Sequence, residues 1–362
     1  MIERREFVVV GAGLVGLSVA RELQRRGRSV VCLEQYAVGH EKAGSKGNAR
    51  IFRFGYTDPL YVAMAMRALA GWEELSEEAG ARLLEPTGLL SFGEQVDEVA
   101  AAMSTAGATP AWVQEDELRE RFPGIAPRGR ALYETTAGVL SADLVMRALA
   151  ASVAPLVEHA PVSSIDDGGD AVRIKAAGQT YECGVVVLCG GAWSRDLARV
   201  AGIDISGILT ATAQQVAYLQ PRPGFADQLP AFVERGVTTF YGLPVLSEGT
   251  YKVGIHDPGE AADPSAFSVD TPDPAALEML GGMAARLLPG CEEGFVARER
   301  CFYDNTANED FLIDKVGRVV IAAGTSGHGF KFGPVWGEML ADVALGLQPW
   351  FPIDRFSLMH RT

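Results

Sequence analysis

The chain has 362 residues, 48% of them hydrophobic, with 41 glycines and 16 phenylalanines. That length exceeds the ~250–300 residues at which a single core stops growing, so two domains are expected. A formal charge of −14 argues against nucleic acid and anionic membranes as partners, while leaving room for a local cationic pocket. Residues 7–10 read as a short buried strand, and residues 14–26 as a helix with apolar positions at helical spacing. Arg4 and Arg5 before an apolar run resemble the start of a signal peptide. The spaced glycines and the charged RELQRRG that follow make strand–turn–helix the better reading. Gly27 stops the helix, and residues 29–34 form a second strand. A long amphipathic helix is predicted over 58–79, after Pro59. From about 81 to 140 the pattern changes to shorter alternating stretches with turns, including TGLLSFG and EDELRERFPG.

Residues 141–157 read as helical again, followed by strand-like pieces near 162–165 and 171–175. VVVLCGGAW at 185–193 is a buried strand running into a glycine turn. Residues 210–256 carry several strand-like runs, of which YGLPVL and TYKVGIH are clearest, and 273–288 are helical. The chain closes on strand RVVIAAG and helix VWGEMLADVALG. These returning strand–helix signals predict an α/β protein whose nucleotide domain is assembled from 1–80, 141–212 and 295–362. Residues 81–140 and 213–294 would then build a second, α+β substrate domain on an antiparallel sheet. The five cysteines (32, 183, 189, 291 and 301) show no CxxC spacing and an odd count, which suits a reducing cytoplasm. No stretch of ~18 uncharged apolar residues occurs, so no membrane span is expected.

Gly11, Gly13 and Gly16 form GxGxxG directly after the first predicted strand and at the start of the first helix. The spacing has a mechanical reason. Gly11 permits the tight turn, Gly13 lets a pyrophosphate approach the backbone, and Gly16 lets helix and strand pack closely. The helix N-terminus faces the phosphate charge. Glu34, at the end of the second strand, is placed to bind ribose hydroxyls, and an acid there repels a 2′-phosphate. These features predict a dinucleotide site but do not separate FAD from NAD.

GSKGNARIFRFGY at 44–56, downstream of GxGxxG, resembles a segment of the monomeric sarcosine oxidase and N-methyltryptophan oxidase family. That family lies within the D-amino-acid-oxidase-like flavoproteins. The resemblance continues through AGVLSADL at 137–144, VVLCGGAWS at 186–194, YGLP at 241–244 and KVGIH at 252–256. It ends with RCFYDNTANEDFLID at 300–314 and VVIAAGTSGHGFKF at 319–332. The matches span nearly the whole chain in family order and imply FAD in a two-domain, p-hydroxybenzoate-hydroxylase-like fold.

The resemblance also implies roles for particular residues. Cys301 stands where the family attaches FAD as a thioether, which would raise the flavin potential. Lys252 would sit on the flavin face opposite the substrate and stabilise charge developing on O2. Arg53 and Lys331 would clamp a substrate carboxylate, a task suited to an arginine fork and a lysine point charge. Arg50 would pack on the flavin ring, and His256, Tyr241 and Tyr303 would shape the amine site. Ser45, Lys46, Trp193, Phe330 and Lys331 fall in segments bordering the cofactor, and Val162 matches a backbone contact to adenine. Gly327 and Gly329 would let the backbone approach the flavin's pyrimidine edge. The helix beginning near Val335 would then aim its N-terminus at the ring. One departure stands out: Lys46 replaces the family's histidine, in a loop one residue shorter.

The expected activity is oxidation of the C–N bond of a small secondary or cyclic amino acid, of sarcosine, proline or pipecolate type. The products would be an imine and H2O2, with a pH optimum above neutral because the amine must lose its proton. No metal is expected, and the partners would be the amino acid and O2, acting on a cytoplasmic monomer or small homo-oligomer. A dehydrogenase passing electrons to a partner protein is the alternative, ahead of a non-catalytic flavin-binding subunit or an NAD enzyme.

Overall fold

A computed structural model of the chain describes residues 2–257 and 259–360. The first strand, Ile2–Val10, runs parallel to Val30–Leu33 on one side and Gln179–Leu188 on the other. Its last four residues are buried, because a parallel strand covered on both faces is apolar along its length. The strand starts well before the expected residue 7. Its polar first half pairs with Thr180–Cys183, and Arg4 meets Glu182 at 2.9 Å, so cross-strand partners hold a segment that carries no burial signal. Val162–Asp166, Val172–Ala176 and Leu156–Val157 extend this sheet, and the hairpin Leu312–Val316 with Val319–Ala323 completes its eight strands.

The second sheet has nine strands in the order Glu260–Ala261, Leu209–Leu219, Thr250–Ile255, Phe240–Val245, Ala231–Arg235, Leu89–Gly93, Ala131–Glu134 and Trp112–Val113, with Ala297–Thr306 also pairing along Leu209–Leu219. Every pairing is antiparallel except that of Ala231–Arg235 with Leu89–Gly93. The strand Ala297–Thr306 therefore joins this sheet, although sequence reasoning grouped 295–362 with the nucleotide-binding segments. Its ARERCFYDNT sequence is largely polar and lacks the apolar run that would have marked it as a strand. A small third sheet pairs Arg50–Phe52 and Leu84–Glu85 with Gly138–Leu140.

Helices Leu14–Arg25 and Gly333–Leu345 pack on the first sheet, whereas Pro274–Leu287 packs on the second. Leu14–Arg25 crosses Gly333–Leu345 closely at Gly337, where an added Cβ would lie 2.7 Å from the Ser18 carbonyl oxygen. Pro59–Ala79 is bounded as its sequence dictates. Asp58 accepts from the Leu60 N–H, proline takes the first turn, and Gly80 closes the helix at φ +60°. The helix expected over 141–157 covers only Ala142–Ala151, because Pro155 cannot extend it and Leu156–Val157 pairs with the second strand instead. Residues 81–140, read as alternating stretches, contain two helices, Val96–Thr105 and Glu115–Arg121. None of the helices is long and apolar enough to cross a membrane, among the described residues.

Candidate active site

One cavity of about 750 Å³ opens between the C-terminal ends of the parallel strands and one face of the antiparallel sheet. Every site residue expected from the sequence lines it except Gly16. At Gly16 an added Cβ would come within 1.8 Å of the Gly11 carbonyl oxygen and 3.3 Å of the Cys189 Cβ. It serves close packing, as the fingerprint requires. Gly11 has φ +102°, and a Cβ there would meet the Cys189 carbonyl oxygen at 2.2 Å. Gly13 differs: its Cβ position faces only the Ser45 hydroxyl, at 3.7 Å, so the space beside the helix N-terminus is open. Glu34 is buried and accepts from the Ala12 and Tyr36 N–H groups at 2.7 and 3.0 Å. Val162 and Trp193 border this end, the indole donating to the Ser265 hydroxyl at 3.2 Å.

At the other end the antiparallel sheet supplies side chains by its two-residue period. Lys252 and His256 project from one edge of their segment, alternating with apolar residues, and Glu299, Cys301 and Tyr303 alternate with buried Arg300, Phe302 and Asp304. Tyr241 faces Gly254 across the ladder, where a Cβ would overlap the tyrosine hydroxyl at 2.4 Å. Burial pushes Tyr241 up to about 12, and Tyr303 lies close enough to act on it. Burial, reinforced by Arg50, holds Lys252 down to about 8.

Lys46, whose loop carbonyl is bound by Arg50, lies near enough to add to the lowering of Lys252. Arg50 also donates to the Ala49 and Gly44 carbonyls, at 2.9 and 3.1 Å, and its guanidinium lies 5.5 Å from the centre of the Phe330 ring. It therefore braces the 44–47 loop from the cavity wall.

The remaining cations form a second group. The Arg53 guanidinium lies 4.3 Å from the centre of the Tyr56 ring, and its Nη1 is buried without a hydrogen-bond partner. Lys331 is buried and donates to the Tyr56 hydroxyl at 2.9 Å and the His328 carbonyl at 2.8 Å. Its burial, with Arg53 nearby, lowers its pKa well below the ordinary lysine range. His256 lies 3.5 Å from the Glu309 carboxylate. Such a site can take a carboxylate, because a buried unpartnered guanidinium N–H is costly until an anion meets it.

Two cavity-lining glycines also sit tightly against protein side chains. A Cβ at Gly327, where φ is +73°, would enter the Tyr303 ring at 2.2 Å, and one at Gly329 would meet Thr325 at 2.7 Å. Both make room for protein side chains. The following helix starts at Gly333, two residues before the expected Val335, after a 3₁₀ turn at Phe330–Phe332.

Sequence reasoning missed Tyr56, His328, Glu309 and Arg235, which also line the cavity. Tyr56 hydrogen-bonds His328 Nδ1 at 3.2 Å, and His328 Nε2 reaches the Glu309 carbonyl at 2.9 Å. Tyr56 and His328 sit inside the 44–56 and 319–332 segments that carry the resemblance, and Glu309 inside 300–314. Arg235 lies in no motif.

The cavity suits FAD on its own terms. It reaches from Glu34 and Val162, past a glycine turn with free space at Gly13, to a wall of buried cations and tyrosines. Residues 6–343 match the family of FAD dependent oxidoreductases, and the chain belongs to it: the protein is an FAD-dependent oxidoreductase. Among curated relatives it is 30% identical to a peroxisomal sarcosine oxidase of Homo sapiens, covering 98% of this chain and 95% of that protein. It is 29% identical to a monomeric sarcosine oxidase of a Bacillus species, with the same coverage. Among solved structures it resembles NikD, described as an unusual amino acid oxidase essential for nikkomycin biosynthesis. There the TM-score is 0.82, with 24% identity over 98% of this chain and 97% of that one.

Proposed function

We propose that the protein oxidises the C–N bond of a small secondary or cyclic amino acid of the sarcosine, proline or pipecolate type, with O2 as electron acceptor. The observation that carries this reading is the buried, unpartnered Nη1 of Arg53 beside Lys331, in the same cavity as Lys252 and Cys301. Bound FAD supplies the two-electron acceptor, so that the amino acid becomes an imine and O2 becomes H2O2. Arg53 and Lys331 fix the substrate carboxylate; Tyr241, Tyr303 and His256 wall the amine and exclude water around it. Lys252, charged below about pH 8, presents an ammonium where negative charge develops on oxygen. Cys301 is the one cysteine of the five that is not buried, and it faces the cavity, which supports its role as the covalent anchor. Glu34 and Gly11–Gly13 hold the dinucleotide portion, with Ser45, Val162 and Trp193 alongside. Thiols with no disulfide among them suit a reducing, cytoplasmic setting.

The test is a screen of N-methyl and cyclic amino acids with coupled peroxide detection on the purified holoenzyme. At least one is expected to bleach the flavin under anaerobic conditions and release peroxide in air. Bleaching without peroxide would leave a dehydrogenase, and no bleaching by any amino acid would defeat the reading.

A further inference from the structure

Arg235 is a cavity cation that the carboxylate clamp does not use. It ends the strand Ala231–Arg235, on the face that also presents Val233, and the neighbouring Val233–Tyr241 pairing puts it near the Tyr241 and His256 end of the chamber. Its backbone is fixed: the Arg235 carbonyl accepts from the Glu94 N–H at 2.9 Å. Gly93, at φ +90°, passes so close that a Cβ there would lie 2.2 Å from that oxygen. The side chain is left short of partners. Among the described residues its single hydrogen bond, to the Gly55 carbonyl, is 3.3 Å long, and its Nε is buried without a partner. An arginine has five N–H donors, and a half-buried one whose sealed Nε meets no acceptor is suited to a ligand.

The nearby acids do not satisfy it. Glu134 is committed to the Phe54 and Gly55 N–H groups, at 2.6 and 3.1 Å. Glu309 approaches His256 and is half exposed at the mouth. Neither forms an ion pair with Arg53 or Arg235 among the described residues, though both act on them from further off. Two guanidiniums thus face one chamber, each with a buried unpartnered nitrogen. One substrate carboxylate accounts for one of them.

We infer that Arg235 binds a second carboxylate, making the preferred substrate a secondary amino acid with an acidic side chain. This rests on the proposed amine oxidation and on Arg53 and Lys331 taking the α-carboxylate. The planar fork matches a carboxylate bidentately, and the exposed Gly236 and Val237 that follow leave the mouth open for a longer side chain.

The holoenzyme is titrated with two unreactive thioethers, (methylthio)acetate and 2-(methylthio)succinate, following the flavin absorbance. N-methyl-DL-alanine, N-methyl-DL-aspartate and N-methyl-DL-glutamate are then compared as reductants. The dicarboxylate probe is expected to bind about tenfold tighter or more, the size of one charge-assisted hydrogen-bonded contact. In Arg235→Met the two affinities should converge to within about threefold, and Arg235→Lys, which keeps the charge, should retain part of the preference.

Equal binding by the wild type, or a variant that weakens both probes by the same factor, would overturn the inference. In the second case Arg235 belongs to the α-carboxylate clamp. If the dicarboxylate preference holds but no amino acid reduces the flavin, the oxidation reading fails and the second carboxylate site stands. If N-methylalanine reduces the flavin and no preference exists, the reverse is true.

Discussion

At the Gly11–Gly16 end of the cavity the working groups are backbone atoms from one strand–turn–helix unit, with Glu34 following one strand later. At the Lys252–Cys301 end they are side chains drawn from several strands and from the Gly327–Lys331 turn. The first end needs empty space, so its residues are defined by the Cβ they lack. The second needs charge held out of water, so its residues carry orphaned donors and displaced pKa values. The first therefore tolerates almost no added atom, whereas the second tolerates changes of shape better than changes of charge.

The largest effect is expected at the backbone end. Gly11→Val combines a direct overlap with the Cys189 carbonyl and a positive φ, and should cost roughly 3 kcal/mol or more. Thermal unfolding and the ratio of flavin to protein absorbance check it. A variant that keeps full flavin content would break the contrast between the ends. At the charged end, Lys252→Met should slow reoxidation of the photoreduced flavin by O2 about 10²-fold in stopped flow. Because reduction is photochemical, the outcome does not depend on which amine is the substrate.

The same lysine gives a pH dependence of defined sign. Its folded pKa is about 8, against 10.5 for the ordinary group, so reoxidation should slow as pH rises through about 8. Between those two values the unfolded chain holds more protons than the folded one, so stability should rise with pH across that window. Removing the buried charge should raise the midpoint of unfolding at neutral pH, so that Lys252→Met is more stable while reacting less well with oxygen. Arg53→Met should lower kcat/KM by about 10²-fold, mostly through KM, by removing a charge-assisted pair. The smallest effect should come from Lys46→His, which restores the residue usual in the resembled family. Its side chain acts on Lys252 only from a distance, and a change in the oxygen rate beyond about threefold would show that the 44–47 loop does more than brace Arg50.

The two ends were also unequally legible in the sequence. The GxGxxG turn, its helix and Glu34 could be read from spacing alone, because the whole constraint is local. Cys301, Lys252 and Arg53 carry no local signal. A lone cysteine, a strand lysine and a loop arginine are ordinary residues, and only resemblance singled them out. Arg235 was invisible to both routes, since nothing near it in sequence shows that Gly93 and Glu94 pin its backbone beside the chamber. Strand Ala297–Thr306 was hard to place for a related reason: three of its four buried positions, Arg300, Asp304 and Thr306, are polar, and its partner Leu209–Leu219 lies far away in the chain.

The central claim is that one flavin ring lies against Cys301, within reach of Lys252, Arg53 and Lys331. Proteolysis of the denatured holoenzyme followed by mass measurement of its flavin-bearing peptide tests it most directly. The account predicts an FAD-derived mass on the peptide containing Cys301, lost in Cys301→Ser. Flavin released intact from the wild type on denaturation, or attached at any other residue, would contradict it.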